Sequence, residues 1–91
     1  MKPDQLYQEL RDLAEKLDIK IKEKSFRHMG IKVQSGLCKV RGDDFFIMDK
    51  NLSIQIKSRI LAACLSRKEL EDIFMVPALR DYIKRSKKYI I

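Results

Sequence analysis

A chain of 91 residues, 45% hydrophobic and 36% charged, is the size of one domain with one core, able to remove roughly 60 to 65% of its extended surface from water. No segment has the low hydrophobicity of a disordered tail, and no linker or internal repeat is visible. The longest apolar runs, Phe45 to Met48 and Ile60 to Leu65, fall far short of the roughly 20 residues that cross a bilayer, so no membrane partner is expected; the net charge of +7 favours anionic ones.

Leu6, Leu10, Leu13 and Leu17 recur at steps of four, three and four, with Tyr7 and Ala14 beside them and Glu9, Arg11, Asp12, Glu15 and Lys16 on the other side. That spacing predicts an amphipathic helix over about residues 4 to 17. The opening Met1-Lys2-Pro3-Asp4 lacks the apolar segment and small-residue cleavage site of a secretory signal, which leads us to expect a cytoplasmic protein. The period then switches: Ile19, Lys20, Ile21 and Lys22 alternate strictly, as on a strand over 19–24 with isoleucines inward and lysines in water. Lysines along a strand also discourage pairing with another chain.

Residues 25–36, with His28, Gly30 and Gly36, show no sustained period and read as an irregular connection or a short extra strand. Leu37, Cys38 and Val40, then Phe45 to Met48, flank a turn at Arg41-Gly42-Asp43-Asp44, predicting a hairpin of about 37–41 and 45–49. Leu52, Ile56, Ile60, Ala63 and Cys64 restore helical spacing, with Ser53 as N-cap and Lys57, Ser58 and Arg59 expected in water. Ser66 with Glu69 reads as a capping box that restarts the helix ahead of Leu70, Ile73 and Phe74. Pro77 opens a last helix whose Leu79, Ile83, Ser86 and Ile90 share one arc. The expected fold is α+β: a small antiparallel sheet packed by an N-terminal helix and two or three C-terminal helices.

Catalytic chemistry is poorly supplied. His28 is the only histidine, and its neighbours Phe26, Arg27, Met29 and Gly30 form no nucleophile or metal motif. One histidine and two distant cysteines lack zinc-ligand spacing, and Gly30, Gly36 and Gly42 match no phosphate-binding loop, so neither metal nor cofactor is expected. Cys38 and Cys64 are expected as reduced core residues, although spacing alone leaves their pairing open. The carboxylate groups Asp43-Asp44 and Glu69, Glu71, Asp72 have ordinary explanations as turn residues and first-turn acids.

The segment from Gly36 through the hairpin into Ile60-Leu61-Ala62-Ala63-Cys64-Leu65-Ser66-Arg67 resembles the strand-then-helix core of small zincin-like peptidase domains, over about a third of the chain. In that family the helix carries His-Glu-x-x-His; Ala63, Cys64 and Arg67 stand at the matching positions here, and none supplies a zinc ligand pair or a carboxylate base. The resemblance therefore implies a catalytically dead relative. The whole chain is also similar to short bacterial proteins with a Gly-Leu-Cys hairpin and a Pro-Ala-Leu-Arg final helix, a similarity that implies no activity.

The charge sits in two segments: residues 19–42 carry +6 and 77–91 carry +4, against −2 over 1–18 and −1 over 43–76. Lys20, Lys22 and Lys24 with Arg80, Lys84, Lys87 and Lys88 are the candidate nucleic-acid or anion surface, if strand and helix lie close, with Arg27, Lys32 and Lys39 as extensions. The same cations also serve edge protection, helix dipoles and solubility. Tyr82, Tyr89 and Ile90 are the candidate protein interface. The expectation is a non-enzymatic domain that binds a protein partner or a second copy of itself, with nonspecific nucleic-acid binding as the alternative.

Overall fold

A computed structural model of the chain describes residues 1–25 and 36–87. The expectations for residues 26–35, His28, Arg27 and Lys32 among them, and for Lys88, Tyr89 and Ile90 lie outside the described residues. Helix α1 (Pro3–Lys16) buries Tyr7, Leu10, Leu13 and Ala14, with Pro3 in the first turn where its missing N–H has no intrahelical partner. It ends where Asp18 takes a φ of 59°, a left-handed reversal that a short polar side chain tolerates and that feeds the chain into β1 (Ile19–Lys24).

Strands β2 (Gly36–Val40) and β3 (Asp43–Asp49) form the expected antiparallel hairpin, Val40 beside Asp43 and Gly36 beside Ile47. Its loop is shorter than the sequence suggested: only Arg41 and Gly42 turn, with φ of 52° and 86°, and Asp43 and Asp44 already belong to β3. Two successive positive φ values are the signature of the tight hairpin turn whose twist matches that of the flanking strands. The strand order is β1-β3-β2, and β1 runs parallel to β3, from Ile19 beside Asp44 to Lys24 beside Asp49. The sheet of this α+β fold is therefore mixed, where an antiparallel one was expected. The apolar run Phe45 to Met48 explains the order: it needs cover on both edges and takes the centre, whereas the lysine-bearing strands tolerate the rims.

The helices lie on one face of the sheet. Ile19, Phe46 and Met48 join Leu10, Leu13 and Ala14 of α1 with Leu61, Ala62 and Leu65 of α2 (Ile54–Leu65) in one core, closed by Leu79 and Ile83 of α3 (Pro77–Ser86). Each fully buried side chain of the size of Leu or Phe contributes about 2 kcal/mol of transfer free energy. Ser53 caps α2 as expected, accepting from the Ile56 N–H at 3.3 Å.

The face of α2 differs from expectation. Ser58 is buried and the Lys57 side chain is only 12% exposed, while Ile56 is 43% exposed. Both faces of this helix are apolar, and the one carrying the small residues Ser58 and Ala62 wins because it lets α2 pack closely on α1. The capping box at Ser66 does not form. Its hydroxyl instead donates to the Ala63 carbonyl at 2.6 Å, closing α2, and residues 67–76 run without a helix. A helix of two turns is marginal without packing. Here Leu70, Ile73 and Met75 reach the core from an irregular segment, and Arg80 donates to the carbonyls of Ile73 at 2.7 Å and Leu70 at 3.3 Å.

Candidate functional site

Strand alternation and register put Lys20, Lys22 and Lys24 on the sheet face turned away from the helices, together with Phe45 and Ile47 of β3 and Cys38 and Val40 of β2. Lys20 Nζ is 5.4 Å and Lys22 Nζ 6.0 Å from the Phe45 ring centroid, near the limit for attraction between an ammonium and a ring face. Lys20 also reaches Asp43 at 3.5 Å, and Asp49 shares this face, so its positive charge is partly compensated. The result is an apolar and aromatic strip with cations along one side.

The second half of that surface is a rim. β2 is exposed along its length, with Leu37 at 44% and Val40 at 49%, and among the described residues no strand pairs with its outer edge. Cys38, expected in the core, is exposed, because strand alternation puts it on the sheet face turned away from the helices. Cys64 is half-buried, and both thiols are free. Burial pushes the Cys64 thiol above its ordinary value, with Lys68 and Arg67 pulling weakly the other way.

The C-terminal basic residues do not extend this surface. α3 packs on α2 and α1, on the side of the sheet opposite the β1 lysines, so among the described residues the two cationic segments form no common patch. Arg80 is engaged by the carbonyls of the 67–76 segment, and Arg85 pairs with Asp81 at 3.9 Å. Lys84 and Lys87 border an open cleft of about 630 Å³ whose other wall is acidic, with Glu69, Glu71 and Asp72. Tyr82 is half-buried against the core and is not an exposed anchor.

Asp43 and Asp44 are strand neighbours, so their carboxylates leave β3 on opposite faces, one to Lys20 and the other to Lys39 at 3.8 Å; they cannot act together on one bond. Among the described residues no group of three His, Cys, Asp or Glu side chains could hold a metal ion. Of the positions matched to the zincin-like motif, Ala63 is buried, Cys64 half-buried and Arg67 exposed beyond the end of α2.

One ionic cluster was not anticipated. Glu23 follows Ile19 and Ile21 on the inner face of β1 and gathers three partners: Lys57 at 2.6 Å, the Tyr7 hydroxyl at 3.3 Å and Arg11 at 3.4 Å. Burial and then the Glu23 charge push the Tyr7 hydroxyl from 10 up to about 12, despite Arg11 nearby. The signal was available: an acid at an inward strand position needs a cation from a facing helix. The groups satisfy one another, and the cluster joins α1, β1 and α2; Arg11 also lines an open cleft of about 730 Å³ between α1 and the hairpin end of the sheet. Exposed Phe74 was likewise missed, hidden by its expected place on the inner face of a helix.

No helix among the described residues is long and apolar enough to cross a membrane. Compared with known protein families, curated proteins and solved structures, the chain finds no match.

Proposed function

We propose that this chain is a non-catalytic protein-binding module that takes an extended segment of a partner along the edge of β2 that no described strand pairs. The exposure of that strand, apolar side chains included, carries the reading: edge N–H and C=O groups without a partner strand among the described residues are a template for a further strand. Lys39 and Arg41 on the hairpin favour a segment that alternates apolar and acidic residues. Self-association meets the mutual repulsion of two copies at +7 each. A non-catalytic role also accords with Ala63, Cys64 and Arg67 standing where the zincin-like pattern needs ligands and a base.

A second reading rests on Phe45, whose ring lies under two ammonium groups on the open face. A base stacked there with its phosphates on Lys20, Lys22 and Lys24 would give nonspecific single-stranded nucleic-acid binding.

Amide exchange of the labelled protein separates the two. A peptide of alternating valine and glutamate should slow exchange of the amides between Leu37 and Val40 by at least about tenfold, since strand pairing protects backbone groups. A labelled oligothymidylate titrated across a salt series tests the other reading, with a log–log slope near about −2 if three lysines each meet a phosphate. Unchanged β2 amides at saturating peptide would sink strand addition, and a flat salt series would remove the nucleic acid.

A further inference from the structure

Beyond the β2 edge, the molecule presents a second apolar surface on the other side of the helical layer. Phe74 stands 87% exposed and Val76 42% exposed on the segment that joins α2 to α3, although Ile73 and Met75 beside them turn into the core. Next to them runs a groove of about 200 Å³ between this segment and α1, with Leu13, Met75 and Leu79 in its wall. Glu9 and Asp12 of α1 line the same groove. Glu9 Oε2 is shielded from solvent there and has no hydrogen-bond partner among the described residues.

Each feature asks for something different from a ligand. An exposed aromatic ring beside an apolar groove is stabilised by covering both. A carboxylate oxygen removed from water without a donor is a cost that an incoming ammonium or guanidinium relieves. Lys16 is the single cation in the groove lining, against two acids. The geometry points to a docking groove for a basic and apolar peptide segment of another protein, whose apolar side chains cover Phe74 and Val76 and whose Lys or Arg meets Glu9 and Asp12. A second copy fits less well, because two chains at +7 each repel one another.

The overall charge makes the test discriminating. At +7 the protein repels cationic peptides at long range, so capture of one reports the local groove and not the general field. A randomised peptide library displayed on phage, selected against the intact chain, should enrich Lys or Arg beside Leu, Phe or Trp. Synthesised winners should shift the amide resonances of residues 9–16 and 73–79. They should lose at least about tenfold in affinity on Phe74→Ala, which removes an exposed ring without touching the core, and about fivefold on Glu9→Gln. Val40→Lys on β2 should leave that affinity unchanged, which keeps the outcome separate from strand addition. The proposal is overturned by enrichment of acidic peptides, by winners indifferent to Phe74→Ala, by no enrichment, or by a dimer in light scattering that Phe74→Ala abolishes.

Discussion

Lys57 Nζ lies 2.6 Å from Glu23 Oε1, and through that pair α2 holds the inner face of β1. Both side chains are largely out of water, so the loss of one charge strands the other. Lys57→Met, which keeps most of the stem, is expected to cost about 1 to 3 kcal/mol in urea unfolding, softened by Arg11 remaining beside Glu23. The double variant Lys57→Met with Glu23→Leu should recover most of that loss. A double variant destabilised by the sum of the two single losses would show that the two charges are not coupled.

The same pair marks the limit of what the sequence made legible. Period changes located α1, β1, the hairpin, α2 and the start of α3 to within a residue or two, because each element carries its own local signal: leucine spacing, Ile-Lys alternation, a Gly turn, a Ser cap and a Pro start. What depended on distant partners was not legible. Strand order was decided by which strand needed both edges covered, and the buried face of α2 by the fit of Ser58 and Ala62. Residues 67–74 have good capping chemistry, but Leu70, Ile73 and Met75 gain more by reaching the core from an irregular path. For the binding surfaces, sequence located the lysines of β1 and could not tell that α3 would stand on the opposite side of the sheet.

Tyr7 should impose a pH dependence on stability at the alkaline end. Its hydroxyl titrates at about 12 in the folded chain against about 10 when unfolded. The raised value means that the contribution is complete below about pH 10 and is lost as pH climbs through about 12, since the unfolded chain gives up this proton first. Unfolding free energies measured from pH 9 to 12 should fall more steeply for the native chain than for Tyr7→Phe. Parallel curves would contradict the raised value.

The cysteines should differ in reactivity. Cys38 is exposed on β2, whereas Cys64 is half-buried with its thiol pushed upward by burial. A thiol reagent at pH 7.5 is expected to modify one equivalent rapidly and the second slowly, and Cys38→Ser should delete the fast phase alone. A fast phase that survives in Cys38→Ser would assign it to Cys64 and contradict the burial of that thiol.

The hairpin turn offers a test of backbone strain at adjacent positions. Arg41 adopts a φ of 52° that asparagine tolerates better, so Arg41→Asn should add about 0.5 kcal/mol of stability. At Gly42 a β-carbon would meet open space, so Gly42→Ala tests the φ of 86° alone and should cost about 1 kcal/mol. Thermal melting of both variants checks the pair of signs. A neutral Gly42→Ala would mean that the turn relaxes to another type.

Ser58 is the last point at which physical chemistry and sequence disagree. Its hydroxyl is buried on the face of α2 that packs in the core and has no hydrogen-bond partner among the described residues. An unpaired buried hydroxyl costs about 1 kcal/mol or more, while the methyl of alanine fills nearly the same space in a helix that favours it. Ser58→Ala should therefore raise stability by about 0.5 to 1 kcal/mol without moving the α1–α2 packing. Ser58→Val, which adds bulk where the two helices approach, should lower it by about 1 to 3 kcal/mol. If Ser58→Ala is instead destabilising by a comparable amount, the hydroxyl has a partner in solution and α2 sits against α1 in a different register.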